Sequence, residues 1–328
     1  MLSSCRQLPI VPTDVLKRLH VNEPADTRFA SCARLLQSIW RQNRNFDLGR
    51  YRSLNGKSRK LGSRLALRAA RTGVNFLTPD IARTVRKEAA YREIGALIEE
   101  QRLWENLLSS QALTFNLFTR LKADKKMASR FWSKLVPGIL KQVERIDFEH
   151  SPGRGDPAYL GDYTAFDVFV QGTSADGAPA FLAIEVKYSE TLRQQRRSTS
   201  TRYRELTLEY AIHRDPGDPG LFAEPLAQLT AEHLLAAVIR DRLGWNAIGA
   251  FVTIAPAANR EAWIAIELYG RSVNPATTPI PFNPIALEDV IELLRTAADA
   301  DLAERLKERY TDFGPVHALI DDWEPFVA

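Results

Sequence analysis

The chain has 328 residues, of which 45% are hydrophobic and 26% charged, and its formal net charge is +4. This composition is typical of a globular protein and leaves room for one large domain or two small ones. The two cysteines, Cys5 and Cys32, are too few for a disulfide framework or a zinc site, so we expect a reducing cytoplasm.

The two ends of the chain differ in charge. Residues 1–75 carry 15 lysines and arginines against 4 acidic residues, whereas residues 285–328 carry 4 against 11. A basic front end attracts polyphosphates, although a solvated helical surface is the simpler explanation for this segment alone. No run of 18 apolar residues and no apolar leader is evident, so we expect no transmembrane helix, no contact with a membrane and no secretory signal.

From about residue 27 to residue 142 the apolar spacing predicts helices, because apolar residues recur at i, i+3, i+4 and i+7. Thr78 followed by Pro79 is a typical helix start. The predicted helices cover residues 29–44, 63–73, 78–91, 91–118 and 126–143, the last interrupted at Pro137. We therefore expect a basic helical region at the front of the chain.

The pattern changes near residue 145, where short apolar runs bounded by glycine and proline predict strands. The predicted strands cover residues 145–151, 164–172, 180–190 and 246–256. Helices are predicted at 224–244, at 258–273 with Asn259 as N-cap, and over the acidic segment 285–325. A helix between the last two strands makes the final strand parallel to a neighbour, which predicts a mixed sheet with helices on its faces.

The strand "FLAIEVKYSE" (181–190) carries Glu185 and Lys187 inside an apolar run. Side chains alternate faces along a strand, so Glu185 and Lys187 share one face with Phe181 and Ala183. Leu182 lies on the opposite face, which must pack in the core. Burying ions without partners is costly. Either this face meets water, or the two charges belong to a site.

The preceding strand carries a lone Asp167, and the register of the hairpin decides whether Asp167 joins the other two charges. Directly opposed residues of a hairpin share a face of the sheet. If Asp167 lies opposite Glu185, the turn is centred on Asp176 and has an odd number of loop residues. A two-residue turn at Asp176 and Gly177 would instead put the carboxylates on opposite faces. We predict the odd-numbered loop.

Two carboxylates held close together repel each other unless a hard cation lies between them. Mg²⁺ takes one or two carboxylates and completes its shell with water, phosphate or a carbonyl, for which Val186 is well placed. Lys187 can then orient an attacking water or stabilise charge on a phosphate. A bare Glu-x-Lys is weak evidence, since it often marks a solvated strand face, but the hairpin spacing favours a metal site.

Asp167 with "EVK" (185–187), in this order of helices and strands, resembles the PD-(D/E)xK superfamily of nucleases. The strings "LLSSQ", "SPGR" and "EVKYSE" resemble, more narrowly, a little-studied bacterial family within it. The resemblance covers roughly residues 60–325. It implies an α/β fold of restriction-endonuclease type over residues 89–328, with C-terminal acidic helices, preceded by the basic helical region at 1–88.

The resemblance also implies roles for further residues. Glu105, on the helix before the sheet, and Glu149, near the end of the first strand, become candidate metal ligands, although each also suits a structural charge. Gln228 becomes a candidate catalytic residue, whereas His233 suits a packed position or a phosphate contact. Basic residues near the site are candidates for binding phosphate. They are Arg154, Arg193, Arg196, Arg197 and Arg202.

The predicted function is a metal-dependent DNA endonuclease that uses Mg²⁺, with Mn²⁺ able to substitute, in restriction, phage defence or repair. A binding-only protein of the same fold and an RNA nuclease are the alternatives. Cutting both strands of double-stranded DNA would favour a homodimer. The chain has no GxxxxGK[ST] loop, so ATP-driven movement would need a partner protein, which could also activate or recruit the enzyme.

Overall fold

The computed structural model describes residues 7–53, 55–192 and 201–323. Its strands are β1 (Leu48–Arg52), β2 (Ser58–Leu65), β3 (Gln142–His150), β4 (Phe166–Thr173), β5 (Pro179–Val186), β6 (Ile248–Ala255) and β7 (Phe282–Ala286). Its α-helices are α1 (Thr13–Arg18), α2 (Arg28–Asn43), α3 (Leu67–Thr72), α4 (Pro79–Ala90), α5 (Glu100–Glu105), α6 (Ser110–Ala123), α7 (Lys125–Leu135), α8 (Thr201–Tyr210), α9 (Ala227–Leu243), α10 (Arg260–Ser272), α11 (Leu287–Ala297), α12 (Ala300–Tyr310) and α13 (Gly314–Asp321).

The central sheet has the strand order β3-β4-β5-β6-β7. The first three strands pair antiparallel, and β5, β6 and β7 pair parallel. The predicted mixed sheet is therefore confirmed, including the parallel strand that follows the helix at 224–244. The predicted helix starts at Thr78 and Asn259 are also confirmed, since each side chain accepts a hydrogen bond from a backbone N–H of the first turn.

Hydrophobic side chains cover both faces of the sheet. Leu182 and Ile184 pack with the N-terminal and C-terminal helices, whereas Phe181 and Ala183 pack with α8, α9 and α10. The predicted core face of β5 is confirmed, but the opposite face is also buried. The charges of this strand therefore do not mark a face that is open to water.

Two local predictions were wrong, and one strand was not predicted. Residues 48–65 form the antiparallel hairpin β1-β2, not helix, because only the second half of β2 is buried and the apolar alternation is short. Residues 91–99 are not helical, and Gly95 there has φ +84°, a conformation that favours glycine. Strand β7 was not predicted, since residues 282–284 received no assignment and residues 285–286 were assigned to the acidic helices; its Pro284 is tolerated because β7 is an edge strand.

The N-terminal and C-terminal helices meet around Arg309, a fully buried arginine on α12. Its guanidinium donates to the Gln37 side chain at 3.2 Å and to the carbonyl of Asn75 at 2.6 Å, and it lies 4.4 Å from the ring centroid of Trp40. Burying a cation among neutral groups lowers the pKa of Arg309. Among the described residues no acidic side chain forms an ion pair with it.

The helices within residues 7–53, 55–192 and 201–323 include none with the length and apolar character that a membrane span requires.

Replacing Arg309 by alanine is expected to lower the free energy of unfolding by about 3 kcal/mol or more, because Gln37 and Asn75 lose their buried donor and a cavity opens beside Trp40. Urea unfolding measures the change. Arg44→Ala is the matched control, since Arg44 also lies over Trp40 but pairs with Glu308 in solvent, where an ion pair contributes about 1 kcal/mol at most. Equal losses in both variants would contradict the prediction.

Candidate active site

The hairpin β4-β5 brings the predicted acidic residues to one face of the sheet. Paired residues keep a constant sum of 352, from Val168 with Ile184 to Thr173 with Pro179. This is the alignment in which Asp167 and Glu185 share a face, and the loop between the strands spans residues 174–178, centred on Asp176. The register prediction is confirmed.

Glu185 and Lys187 lie at the carboxyl end of β5 and are only 5% and 8% exposed. The Lys187 ammonium lies 2.7 Å from Oε1 of Glu185 and donates to Oε1 of Gln228 at 3.1 Å. The Gln228 amide in turn donates to Glu185 at 2.7 Å and to Glu232 at 2.8 Å. Because Gln228 and Glu232 are one turn apart on α9, that helix fixes the orientation of both strand charges.

Asp167 and Glu149 carry protons more readily than ordinary carboxylic acids. Burial, then Glu185 and then Glu149 raise the pKa of Asp167 well above its usual value, although the hydrogen bond from the Val186 N–H to Asp167, 2.7 Å long, opposes the rise. Burial raises the pKa of Glu149 to about 7, against a hydrogen bond from Gln111, and Glu185 adds to the rise. The three carboxyl groups therefore repel one another in the absence of a cation.

Lys187 remains an ammonium ion in this environment. Burial lowers the pKa of Lys187, but nearby acidic side chains raise it by more, so the net pKa is above that of an ordinary lysine. These side chains are Glu185, Glu232, Glu190 and Asp167. A lysine whose pKa is raised cannot accept a proton at neutral pH. It can neutralise negative charge and donate hydrogen bonds.

The sequence analysis missed three residues of the site, Glu232 on α9, which accepts from Gln228, and two residues on other helices. Arg102 on α5 donates to Glu190 at 3.2 Å, and its pKa is raised, against burial, by Glu190, Asp167, Glu149 and Glu185. Gln111 on α6, buried, donates to Glu149 at 2.5 Å. Gln111 lies in the string "LLSSQ", so that string was the signal available in the sequence. Arg102 had none beyond its closeness to that string.

Three predicted site residues, Glu105, Arg154 and Arg202, contact groups outside the carboxylate cluster or at its border. Glu105 is buried beside Arg64, where burial lowers the pKa of Arg64 and the Glu105 carboxylate opposes that decrease. No described hydrogen bond or ion pair joins Glu105 to Asp167 or Glu185. Arg154 has an 8% exposed side chain that donates to Glu93 and to the Glu149 carbonyl. Arg202 on α8 donates to the Tyr159 carbonyl.

Two further predictions concern His233 and the basic segment after β5. His233 is fully buried and contacts the Tyr269 hydroxyl and the Ile280 carbonyl, so the packed position is confirmed. Arg193, Arg196 and Arg197 lie outside the described residues.

The donor set fits a hard divalent cation bound with the help of water and substrate. Among residues 7–53, 55–192 and 201–323, no group of three or more His, Cys, Asp or Glu side chains is arranged to hold a metal ion by itself. Mg²⁺, however, needs only one or two protein carboxylates. Asp167 and Glu185 supply two on one face, and a cation there would relieve the repulsion that raises the pKa of Asp167.

Comparison with known proteins gives one result. A family model described as the PD-(D/E)XK nuclease superfamily matches residues 24–312, which is most of the chain. Neither the curated proteins nor the solved structures include a significant match.

Proposed function

The chain belongs to the PD-(D/E)XK nuclease superfamily, and on this premise we propose that it is a metal-dependent endonuclease that hydrolyses phosphodiester bonds in DNA. The proposal rests on one observation, namely that half-buried Asp167 and buried Glu185 and Lys187 share one polar face at the same end of two paired strands. The superfamily makes a nucleic-acid substrate the natural choice. We further propose that the substrate is double-stranded DNA and that the enzyme acts in restriction, phage defence or repair.

In this proposal Asp167, Glu185 and the Val186 carbonyl hold Mg²⁺ or Mn²⁺, and Glu149 lies beside them. The bound cation would lower the pKa of a water molecule and polarise the scissile phosphate. The remaining work belongs to the side chains of the chain itself. Lys187, kept protonated by its acidic neighbours, neutralises charge that develops on the phosphate and orients the attacking water.

Gln228 acts by fixing the geometry of this pair. Its amide donates to Glu185 and accepts from Lys187, so the carboxylate and the ammonium keep their separation when substrate arrives. Arg102 adds a second positive charge on the α5 side, where it offsets the acidic cluster before the cation binds. Glu149, with a pKa of about 7, can also take up a proton near neutral pH.

Supercoiled plasmid DNA provides the direct test. We expect the wild-type protein to nick or linearise it with Mg²⁺ or Mn²⁺ and to leave it intact with EDTA, and we expect Lys187→Ala to lose cleavage by roughly 100-fold or more, since it removes a charge that acts in the transition state. Electrophoresis of timed samples measures both.

Three results would change the assignment. Full cleavage by Lys187→Ala would refute the role of the site. Cleavage of RNA but not DNA, under the same metals, would replace the substrate. DNA binding without cleavage under any metal would identify a binding-only protein of this fold.

A further inference from the structure

A cleft of about 770 Å³ opens on the N-terminal side of the molecule, between β1, α3, α4 and α5. Its walls carry four exposed arginines and two glutamates, and its floor is largely apolar. The arginines are Arg52, Arg71, Arg86 and Arg92. The cleft is separate from the carboxylate cluster, and nothing in the proposed reaction uses it.

The positive charges of the four cleft arginines are not neutralised by ion pairs among the described residues. Among the residues that the structure describes, none of the four forms an ion pair with an acidic side chain. Arg86 donates only to backbone carbonyls of α3 and lies 5.5 Å from the ring centroid of Trp104. Of the two glutamates, Glu105 is buried beside Arg64, which offsets it. The cleft is therefore strongly positive.

A neighbouring cavity of about 320 Å³ shows what a neutralised arginine cluster looks like in this protein. Arg34 there pairs with Asp26 at 2.7 Å, Arg59 pairs with Glu23, and Arg102 pairs with Glu190 at 3.2 Å. Three of the four arginines that line this cavity thus have acidic partners, and the fourth, Arg64, is buried and donates to the Gln101 carbonyl. The absence of such partners in the larger cleft favours an anionic ligand.

The cleft adjoins the proposed active site through α5. Arg102 of this helix faces Glu190 and the carboxylates, whereas Gln101 and Trp104 line the cleft. A helix with its side chains is about 10–12 Å across. Phosphates of one DNA strand advance about 3.4 Å each along the duplex axis, so the width of α5 alone corresponds to roughly three phosphates.

The hairpin β1-β2 extends the positive surface beyond the cleft. It has no acidic residue, and its exposed basic side chains without an ion pair among the described residues are Arg50, Arg52, Lys57 and Lys60. Concave surfaces of one charge focus the field and raise the local concentration of a polyanion.

We propose that this arginine cleft is a second binding site for the phosphate backbone of the nucleic-acid substrate, which holds the strand on one side of the cut. The inference rests on the proposed nuclease function, since the ligand is the substrate of that site. Contacts of this kind position the substrate and do not read its sequence.

The test measures DNA binding without cleavage. A short fluorescently labelled duplex is titrated in EDTA with the wild-type protein and with the triple variant Arg52→Gln, Arg71→Gln, Arg92→Gln, over a range of salt concentrations. Each lost phosphate contact lowers the slope of log K against log salt by about 1, so we expect a slope smaller by about 2–3 and a Kd raised about tenfold or more.

A matched control removes the same charge from the opposite side of the sheet. Arg214, Arg260 and Arg271 lie on or beside α10, are exposed, and are changed to glutamine together. This variant is expected to bind like the wild type, and thermal unfolding checks that both variants keep the fold.

The two proposals fail in different ways. If the cleft variant binds with the wild-type Kd and slope while both proteins cut plasmid with Mg²⁺, the cleft proposal is overturned and the nuclease stands. If the wild type neither binds nor cuts nucleic acid, both are overturned. Support for the cleft is a raised KM with an unchanged kcat in the triple variant.

Discussion

Replacing Asp167 by asparagine is expected to reduce DNA cleavage roughly 1,000-fold or more and, at the same time, to stabilise the fold at neutral pH. The activity falls because the variant lacks one of the two carboxylates on the polar face. The stability rises because burial, Glu185 and Glu149 all disfavour the Asp167 carboxylate. Asparagine carries no charge, and its side-chain oxygen can still accept the Val186 N–H.

The sign of the pH dependence follows from the direction of the pKa shift. The folded protein holds the Asp167 proton more tightly than the unfolded chain does, because the pKa of Asp167 is raised by folding. The contribution of Asp167 to the free energy of unfolding is therefore largest at low pH and decreases as the pH rises from the unfolded pKa through the raised one. The difference in stability between variant and wild type should grow over that interval.

Urea unfolding between pH 5 and pH 8, together with the plasmid assay, measures both effects. Asp176→Asn is the matched control, because Asp176 is an exposed aspartate in the loop of the same hairpin. It should change neither property. An Asp167→Asn protein that cuts at the wild-type rate would remove Asp167 from the site, and one that is less stable than the wild type at pH 8 would contradict the proposed repulsion.

The part of the site on β4 and β5 could be predicted because it depends on local geometry. Side chains alternate with a period of two, so the common face of Glu185 and Lys187 and the register of Asp167 follow from position numbers alone. The alternation could not show whether the face that carries these charges is exposed to solvent. The apolar residues of α9 and α10 that cover it lie far along the chain.

The residues that orient these charges could not be predicted in the same way. Glu232 lies one turn after Gln228 in the buried part of α9, and its contact with Gln228 depends on how that helix packs on the sheet. Arg102 belongs to a six-residue helix whose position is set by its neighbours. Long-range packing of this kind leaves no periodic pattern in the sequence.

The hairpin β1-β2 shows a second reason for failure. Its outer half is exposed and basic, so the apolar alternation that marks a strand is confined to residues 61–65. Pattern analysis assigned this stretch to the surrounding helices. The resulting error concealed the arginine cleft, because Arg52 reaches it only from a strand.

Divalent cations are expected to raise the melting temperature of the wild-type protein, and the rise should be larger at pH 8 than at pH 6. Bound cation would replace the protons that Asp167 and Glu149 otherwise hold, and Glu149, with a pKa of about 7, is largely protonated at pH 6. A ligand at about 100 times its Kd adds about 2.7 kcal/mol, which raises the melting temperature of a chain of 328 residues by about 4 °C.

Thermal unfolding with Mg²⁺, with Mn²⁺ and with EDTA at the two pH values measures this rise independently of cleavage. Asp167→Asn should lose most of it and Asp176→Asn should keep it, since only the first change removes a carboxylate from the polar face. If the cation raised the melting temperature equally at both pH values, or equally in Asp167→Asn, it would be bound elsewhere. Because protons and metal compete for the same oxygens, the dependence on pH, more than the size of the rise, identifies the site.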